Sequence, residues 1–306
     1  MTILIRTDQH KVRRTIMALS KEEATLFLRD VLQVPDAMFS EEQPSLPFLN
    51  GVIKSYQNVV PWQSVFSCAV PQSQRHLPTW EEIKQRQFSK QGGRCYGNNM
   101  FIKEVLNAFN FDVCYISCQV WDADDHMTVM VRGLTTSSSR HWVDVGSSFP
   151  LFQAIPFDFQ TNFVEYDIGF LRQRFVKTNG VIEWHHLRHH LPDDGCNMTE
   201  VGNWYIFAKI KADVPCDLDT FKFRMTIRYT VQEESMFLQK AEAVVFKDNK
   251  LVAMKGMKLV LETTDKNLER KKMENLQEAL EAYKTFFPQI PATIVQAALS
   301  NTVVNI

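Results

Sequence analysis

The chain has 306 residues, of which 45% are hydrophobic and 23% are charged, and its formal net charge is −1. This composition is ordinary for a globular protein, and the small net charge excludes a global attraction to nucleic acid or to an anionic membrane. The charged N-terminal segment lacks a signal-peptide core, and no apolar run approaches the roughly 20 residues that cross a bilayer. Six scattered cysteines do not form a disulfide framework, so the sequence favours a cytoplasmic protein with reduced thiols.

The first hundred residues are predicted to be mainly helical. Ser20–Glu23 and Thr79–Glu82 both have the spacing of a helix-initiating capping box. Four prolines between them indicate a long irregular connection: Pro44, Pro47, Pro61 and Pro71. Two glycines then lead to Cys95 and to the segment 96–108, which is predicted to be a helix.

The pattern then changes to short β-rich runs. Those in the middle of the chain predict a small antiparallel sheet or barrel, and they lie at 113–116, 126–131 and 142–145. Further strands are predicted at 204–211, 221–231, 241–246 and 251–261. The segment Asp248–Lys250 is predicted to be a turn, and apolar residues at 3–4 spacing predict a helix over about 265–287.

Three residues in this middle part of the chain form a candidate reactive set. Cys95 opens the predicted helix after Gly92 and Gly93, His126 begins one predicted strand, and Asp144 lies in another. A helix N-terminus biases a thiol toward thiolate, an imidazole accepts its proton, and a carboxylate orients the imidazole. The glycines allow an acyl group near backbone amides that would stabilise an oxyanion. The set predicts acyl chemistry, although each residue alone also fits a structural role.

These segments resemble, in matching order, the motifs of the arylamine N-acetyltransferase family. Gly92–Cys95 with Asn99 is similar to the family's Arg-Gly-Gly-x-Cys-x-x-x-Asn nucleophile motif. His126–Val131 is similar to its His-x-x-Leu-x-Val strand, and Val143–Gly146 to the start of its Val-Asp-Val-Gly-Phe-Gly motif. Val60–Ser64 is similar to its Val-Pro-Phe-Glu-Asn segment, and the resemblance is strongest between residues 60 and 150.

The resemblance implies an α+β fold with a core like that of the cysteine proteases. It implies three domains: a helical bundle over 1–109 that carries the nucleophile, an antiparallel β-barrel over 110–195 that carries the His and Asp, and an α/β lid over 196–306. It also implies a ping-pong reaction in which an acyl-coenzyme A, most simply acetyl-coenzyme A, forms a thioester with the cysteine. An arylamine, hydrazine or N-hydroxyarylamine then accepts the acyl group.

The same resemblance implies the residues of the site. The expected catalytic residues are Cys95, His126 and Asp144. The expected substrate-binding residues are Gly93, Ser147 and Phe149. The expected partners are the acyl-coenzyme A and the small-molecule acceptor, without nucleic acid, membrane or metal, and the oligomeric state stays open.

Several positions depart from the family pattern. Gln63 and Gln91 stand where the family usually has Glu and Arg, so a hydrogen bond between two amides is expected in place of an ion pair. Gly97 replaces a usual Gln or Glu. Ser147–Ser148 replaces Phe-Gly, and the missing aromatic would normally help to shape the acceptor pocket, so Phe149 is expected to compensate in part. The acceptor and the size of the acyl group stay open.

Three alternatives accompany this interpretation. A transglutaminase- or papain-like amidase would use Cys, His and Asp in the same chain order but would ignore coenzyme A thioesters. The departures also fit a catalytically silent protein that binds coenzyme A or an aromatic ligand. On a helix, Trp184–His190 would hold two i, i+4 histidine pairs near Cys196, as metal sites do, but the following Pro192–Gly195 favours a surface loop.

Overall fold

The computed structural model describes residues 18–40, 44–187 and 199–303. The helices are α1 (Lys21–Leu26, continued by a π-helical turn over Phe27–Val31), α2 (Leu46–Val59), α3 (Val65–Ala69), α4 (Trp80–Phe88), α5 (Cys95–Ala108), α6 (Leu218–Thr230), α7 (Met236–Gln239), α8 (Leu276–Phe286) and α9 (Ala292–Val303), with 3₁₀ turns at Asp36–Ser40 and Gln72–Gln74. No helix in this part of the chain is long and apolar enough to cross a membrane.

The strands follow the same chain order. They are β1 (Trp62–Gln63), β2 (Asp112–Gln119), β3 (His126–Arg132), β4 (Arg140–Val143), β5 (Ile155–Pro156), β6 (Phe163–Ile168), β7 (Leu171–Thr178), β8 (Val181–Leu187), β9 (Thr199–Val201), β10 (Trp204–Cys216), β11 (Glu242–Lys247), β12 (Lys250–Lys255), β13 (Lys258–Glu262) and β14 (Leu268–Lys272). All the pairings between these strands are antiparallel, as the α+β prediction requires.

The N-terminal helices begin where the sequence predicts. The hydroxyls of Ser20 and Thr79 accept hydrogen bonds from the amides three residues on, and the carboxylates of Glu23 and Glu82 bond back to the N-cap amides. Both capping boxes are therefore confirmed. These helices surround α5, whose Phe101 ring meets that of Phe27 edge-on at 4.7 Å between centroids. A buried α5 holds the residue at its start in a fixed place.

The larger sheet has the order β5-β4-β3-β2-β10-β8-β7-β6, with β9 paired to β10. It curls into a half-barrel, which confirms the predicted fold class with an open rather than a closed barrel. Strand β10 follows the boundary predicted at residue 195, and yet it pairs with β2 and β8 inside this sheet. The division of the chain into three domains stays a prediction.

The smaller sheet has the order β1-β11-β12-β13-β14. The turn predicted at Asp248–Lys250 is confirmed, because Asp248 and Asn249 have φ values of +52° and +61° between β11 and β12. Asn and Asp tolerate this left-handed conformation better than other side chains do. Tyr283 and Phe287, from α8 and the residue after it, are buried against the sheet, as their spacing predicts.

Three predicted elements differ in the structure. The segment predicted as a strand over 221–231 belongs to helix α6, which packs its residues at every fourth position into the core. The strand predicted over 251–261 is the hairpin β12–β13, which turns at Gly256 (φ +59°). The helix predicted over 265–287 is shorter in the structure. Its first part contains strand β14, and helix α8 begins only after its N-cap Asn275.

Candidate active site

A glycine turn brings Cys95 to the start of a buried helix. Cys95 is the first residue of α5, and the backbone of Arg94 before it is extended (φ −88°, ψ −178°). Gly92 has φ +66°, and a Cβ at this position would lie 1.9 Å from the carbonyl oxygen of Pro61. Only glycine fits this turn. It brings the thiol to the positive end of the α5 dipole.

His126 and Asp144 come from adjacent antiparallel strands. His126 begins β3, and Asp144 follows the last residue of β4. Oδ2 of Asp144 lies 2.6 Å from Nε2 of His126, and both side chains are buried. Such a contact fixes the orientation of the imidazole and stabilises its protonated form.

Asn99, one turn into α5, connects the helix to both strands. Its Nδ2 group donates to the Met127 carbonyl at 2.6 Å and to Oδ1 of Asp144 at 2.8 Å. Its Oδ1 accepts from the Val145 amide at 3.0 Å. Three hydrogen bonds from one buried side chain therefore set the position of α5 relative to β3 and β4. The sequence identified Asn99 only as part of a motif.

Gly146 allows the segment after β4 to approach α5 closely. Its amide donates to Oδ1 of Asp144 at 2.8 Å. A Cβ at this position would lie 2.6 Å from Nδ2 of Asn99 and 2.6 Å from Cα of Cys95. Any side chain here would push the segment away from the helix.

The surroundings of His126 favour its charged form. Burial is the largest influence and by itself lowers the pKa of the ring. The charge and hydrogen bond of Asp144, together with the hydrogen bond and charge of Cys95, outweigh burial and raise the pKa of His126 well above its ordinary value. A protonated imidazole is the partner that a cysteine thiolate requires.

Two other buried cysteines have a different environment. Burial raises the pKa of Cys68 to about 11 and the pKa of Cys118 to about 12. Both therefore stay neutral and weakly nucleophilic at physiological pH. Cys95 instead helps to raise the pKa of the His126 ring and lines an open cleft. The described cysteines thus differ in the features that make a thiol reactive.

A cleft of about 1180 Å³, part of it open to solvent, lies over Cys95 and His126. Aromatic side chains contribute much of its lining, namely Trp62, Trp121, Phe149, Phe207 and Phe237. Charged side chains, including Arg94 and Arg228, also reach it. A concave site with aromatic walls and a few charged groups suits a small aromatic molecule.

The structure brings most of the predicted site residues to this cleft. Four of them line it: Cys95, His126, Ser147 and Phe149. Asp144 lies behind the ring of His126. Gly93 lines a smaller cavity of about 290 Å³, which Gly97 and Tyr229 also line. The Gly93 amide donates to the Pro61 carbonyl at 3.3 Å, so it is already bonded and is not a free donor for an oxyanion.

The side chain of Gln63 bonds to backbone groups. Its Nε2 donates to the Gly92 carbonyl at 3.4 Å, and its Oε1 accepts from the Phe66 amide at 3.1 Å. These two bonds replace the bond to Gln91 that the sequence led us to expect. A neutral amide can both donate and accept, which is why Gln63 supports the glycine turn without an ion pair.

Sequence reasoning missed the role of Asp125. The carboxylate of Asp125 accepts three backbone hydrogen bonds at 2.8–2.9 Å, from the amides of Val120, Trp121 and Asp122. Nη2 of Arg228 in α6 lies 2.8 Å from Oδ2 of Asp122. The loop before His126 is therefore fixed from within and held to α6. An Asp that bonds to nearby backbone amides is a known turn signal, and it was available in the sequence.

The segment that begins at Trp184 is the end of a strand, and the expected surface loop is wrong for the part described. Trp184, His185 and His186 belong to β8 and are buried. His186 packs against Phe149, with ring centroids 4.3 Å apart. His189, His190 and Cys196 lie outside the described residues. Among the described residues, no three His, Cys, Asp or Glu side chains are grouped so that they could hold a metal ion.

The sequence matches the protein family described as N-acetyltransferase over residues 86–290, which is well over half of the chain. No curated protein sequence matches the chain. The structure is similar to that of the arylamine N-acetyltransferase from Mycobacterium marinum, with a TM-score of 0.72 and 14% identity over 90% of this chain and 98% of that chain. For the arylamine N-acetyltransferase from Nocardia farcinica the TM-score is 0.72, with 15% identity over 93% and 95% of the two chains. For the Mycobacterium marinum protein in complex with CoA it is 0.71, with 14% identity over 90% and 98%.

Proposed function

Because the chain belongs to the arylamine N-acetyltransferase family, we propose that this acetyltransferase moves an acetyl group from acetyl-coenzyme A to an arylamine, hydrazine or N-hydroxyarylamine through a thioester on Cys95. The observation that carries the proposal is that Cys95 and His126 line one cleft while Asp144 bonds the ring of His126 at 2.6 Å. The CoA complex of the similar Mycobacterium marinum protein supports coenzyme A as the carrier.

In the first half-reaction, the Cys95 thiolate attacks the carbonyl carbon of the acetyl thioester. The new C–S bond to Cys95 forms, the C–S bond to coenzyme A breaks, and the departing thiolate takes the proton that His126 holds. Negative charge develops on the carbonyl oxygen in between. We assign its stabilisation to the backbone amide of Cys95, because first-turn amides of a helix lack intrahelical partners.

In the second half-reaction, the nitrogen of the acceptor attacks the carbonyl carbon of the Cys95 thioester. The C–N bond forms, the C–S bond breaks, and Cys95 leaves as a thiolate. The proton lost by the amine passes to His126, which restores the imidazolium–thiolate pair. A weakly basic arylamine suits this step because its nitrogen is neutral and nucleophilic near pH 7, whereas an alkylamine is mostly protonated.

The cleft supports an aromatic acceptor. Phe149 is expected to replace in part the aromatic residue that the family has after Asp-Val-Gly. Its ring lines the cleft, with its centroid 4.8 Å from that of Phe207, and this position is compatible with such a role. Ser147 lines the cleft as well, and its hydroxyl donates to the Phe149 carbonyl at 3.2 Å. The acceptor would then stack against Phe149 and Phe207 while its nitrogen reaches Cys95.

The test is intact-protein mass spectrometry after brief exposure to acetyl-coenzyme A. Wild type should gain one acetyl group, and 4-methylaniline should remove it with formation of the acetanilide. Cys95→Ala should gain none. Cys216→Ala, which removes a partly buried thiol in β10, is the matched control and should behave like wild type.

Two results would turn the assignment toward the alternatives. An amidase would leave coenzyme A thioesters untouched and would hydrolyse amides in a Cys95-dependent way. A silent binding protein would bind coenzyme A without an adduct, and Cys95→Ala would bind it equally well. Either result would show that this protein does not catalyse the proposed acetyl transfer.

A further inference from the structure

Three polar side chains form a continuous buried series of hydrogen bonds through the helical part of the molecule. The Tyr56 hydroxyl in α2 donates to Oε1 of Gln87 in α4 at 2.6 Å. Nε2 of Gln87 donates to Oδ1 of Asn98 in α5 at 2.9 Å. Nδ2 of Asn98 donates to the Pro61 carbonyl at 3.5 Å. The three residues are 0–1% exposed, and we call them the polar chain.

Every donor in the polar chain points in the same direction, toward Pro61. A phenol hydroxyl donates, and each amide accepts on its oxygen and donates from its nitrogen. Burial raises the pKa of Tyr56 well above its ordinary value, so the hydroxyl keeps its proton and remains a donor. The polar chain therefore works without a charged group, and each of its links orients the next.

The polar chain lies in a core that is otherwise mainly apolar. Tyr56 belongs to the cluster of buried residues that also contains Phe27 and Phe101. A buried polar group loses its hydrogen bonds to water, and apolar side chains of the same shape hold a core about as well. A satisfied polar network instead specifies one relative position of the elements that it joins. Stability of the core alone therefore does not account for these three residues.

The position that the polar chain specifies is that of the glycine turn before Cys95. The Pro61 carbonyl, where the polar chain ends, also accepts from the Gly93 amide at 3.3 Å. The same carbonyl oxygen would lie 1.9 Å from a Cβ at Gly92, so the turn packs directly against it. A shift of the Pro61 peptide would therefore move the turn and the first residue of α5, Cys95.

Asn99 holds the first turns of α5 from a second direction. Asn98 faces α4, whereas Asn99 bonds the Met127 carbonyl and the Asp144 carboxylate. Consecutive residues of a helix point about 100° apart, so the two asparagines hold α5 from two directions. Cys95 lies about one helical turn before both. Its place is thus set between the helices on one side and the larger sheet on the other.

We propose that the polar chain positions the nucleophile: Tyr56, Gln87 and Asn98 hold the thiol in the place from which it attacks the acyl group. The proposal rests on the proposed transferase function. Within the described part of the chain, the residues that line the cleft do not include these three, so they act through the turn and not on a substrate. A small displacement of a reacting atom lowers the rate without weakening substrate binding.

The experiment follows acetylation of Cys95 in a single turnover by intact-protein mass, over a range of acetyl-coenzyme A concentrations. Tyr56→Phe removes the first donor and keeps the ring. It should lower the rate constant at saturation about 3- to 10-fold, the range for one neutral hydrogen bond, and leave the half-saturating concentration unchanged. Gln87→Met keeps the volume but breaks two links, so it should lower the rate constant about 10- to 100-fold.

The effects of the two substitutions should not add. Once Gln87→Met has removed the amide, the Tyr56 hydroxyl has nothing through which to act on the turn. The double variant should therefore react within about twofold of Gln87→Met alone. Two independent losses that multiply in the double variant would overturn the proposal, because the residues would then act separately.

Tyr283→Phe is the matched control. Tyr283 is also buried, and its hydroxyl donates to one acceptor, the Ala241 carbonyl at 3.4 Å. It lies in α8, however, in the core of the smaller sheet. Its substitution should leave the rate constant and the half-saturating concentration unchanged.

Two outcomes in the polar-chain variants would overturn the proposal. Tyr56→Phe and Gln87→Met could lose unfolding free energy and still acetylate Cys95 at the wild-type rate, which would leave the polar chain a part of the core only. A raised half-saturating concentration with an unchanged rate constant would instead assign it to the binding of acetyl-coenzyme A.

A wild-type measurement covers the case in which the variants do not fold. The Gly93 amide shares the Pro61 carbonyl with the polar chain. Its hydrogen–deuterium exchange should be at least about tenfold slower than that of the amide of Gly180, which lies in an exposed turn. Equally fast exchange at the two glycines would show that the turn is not held, and would overturn the proposal.

Failure of the proposed function has a different signature, because then wild type itself would gain no acetyl group. Alkylation of Cys95 by iodoacetamide, located by peptide mass, would still test the polar chain. Tyr56→Phe should slow this alkylation, and Tyr283→Phe should not. Equal alkylation rates in wild type and both variants would overturn the positioning role.

Discussion

At the scale of single residues, the candidate site depends on three short hydrogen bonds to the carboxylate of Asp144. Its Oδ2 lies 2.6 Å from His126, and its Oδ1 accepts from Asn99 and from Gly146, both at 2.8 Å. A buried carboxylate with partners on both oxygens keeps one orientation. The imidazole that it orients then has its other edge available for Cys95.

Asp144→Asn should destabilise the protein most at acidic pH. The Asp144 carboxylate helps to raise the pKa of His126 above its ordinary value of about 6.5. A base with a raised folded-state pKa contributes stability that is fully present below the unfolded-state pKa and is lost as the pH rises through the folded-state pKa. The difference in melting temperature between wild type and variant should therefore be widest below about pH 6.5 and narrower at alkaline pH.

Asp265→Asn is the control for this comparison, because Asp265 is exposed and distant in sequence from the site. Its melting temperatures should follow those of wild type at every pH. The hydrogen bonds that Asp144→Asn weakens contribute equally at each pH. A difference that stays constant across the pH range would contradict the assigned role of the carboxylate.

Alanine should have opposite effects at two glycines near Cys95. At Gly146, a Cβ would lie 2.6 Å from Cα of Cys95, so Gly146→Ala should cost about 1–3 kcal/mol of unfolding free energy and most of the activity. At Gly97, inside α5, a Cβ would lie 3.6 Å from Cγ1 of Ile83, which is an ordinary contact. Gly97→Ala should raise the unfolding free energy by about 0.5–1 kcal/mol, because alanine is the better helix former. Urea unfolding measures both, and a destabilised Gly97→Ala would contradict the packing described.

At the scale of elements, Asn99 joins α5 to β3 and β4. Asn99→Ala would leave the Met127 carbonyl, one Asp144 oxygen and the Val145 amide without this partner. The expected cost is about 2–4 kcal/mol of unfolding free energy, with loss of acetylation. Asn107→Ala, at an exposed position of the same helix, should change stability by less than about 0.5 kcal/mol. Similar effects at the two positions in denaturant unfolding would exclude the connecting role of Asn99.

Helix α6 gives a test of the element that sequence reasoning assigned wrongly. As a helix it buries Phe221 and leaves Phe223 72% exposed, whereas a strand would put both on one face. Phe221→Ala should therefore cost about 3–5 kcal/mol of unfolding free energy, and Phe223→Ala less than about 0.5 kcal/mol. Large losses of unfolding free energy in both variants, measured by urea unfolding, would contradict the helix and support the strand predicted from the sequence.

The error at α6 has a physical cause. In the segment 221–229 every second residue is apolar or aromatic, which fits a strand, and every fourth residue is too, which fits a helix. Local sequence cannot choose between the two periods. The choice depends on the space that the rest of the core offers to Phe221, Met225 and Tyr229.

At the scale of the whole molecule, the features predicted correctly are those that short segments determine. The capping boxes at Ser20 and Thr79, the start of α5 and the turn at Asp248 depend on residues a few positions apart. The motifs, taken in chain order, predicted that Cys95, His126 and Asp144 lie close together. In the structure Asp144 bonds His126, and His126 lines the same cleft as Cys95. That assignment of catalytic roles stays a prediction until the chemistry is measured.

The features that the sequence did not predict depend on distant parts of the chain. Arg94 donates to the carbonyl of a residue 134 positions away, Arg228, and the rings around it come from α6 and α7. Strand β10 enters the larger sheet between β2 and β8. Neither a motif nor a hydrophobic period contains such information, because both describe only neighbours in sequence. The charged part of the cleft was therefore visible only in the structure.

The central claim is that Cys95 carries the acetyl group between the two substrates. The most direct measurement uses wild-type protein acetylated by acetyl-coenzyme A, freed of all coenzyme A by gel filtration, and then mixed with 4-methylaniline. One equivalent of N-acetyl-4-methylaniline should form while the protein loses one acetyl group by mass. An acetylated protein that keeps its acetyl group in the presence of the amine, and forms product only when acetyl-coenzyme A is added back, would contradict it.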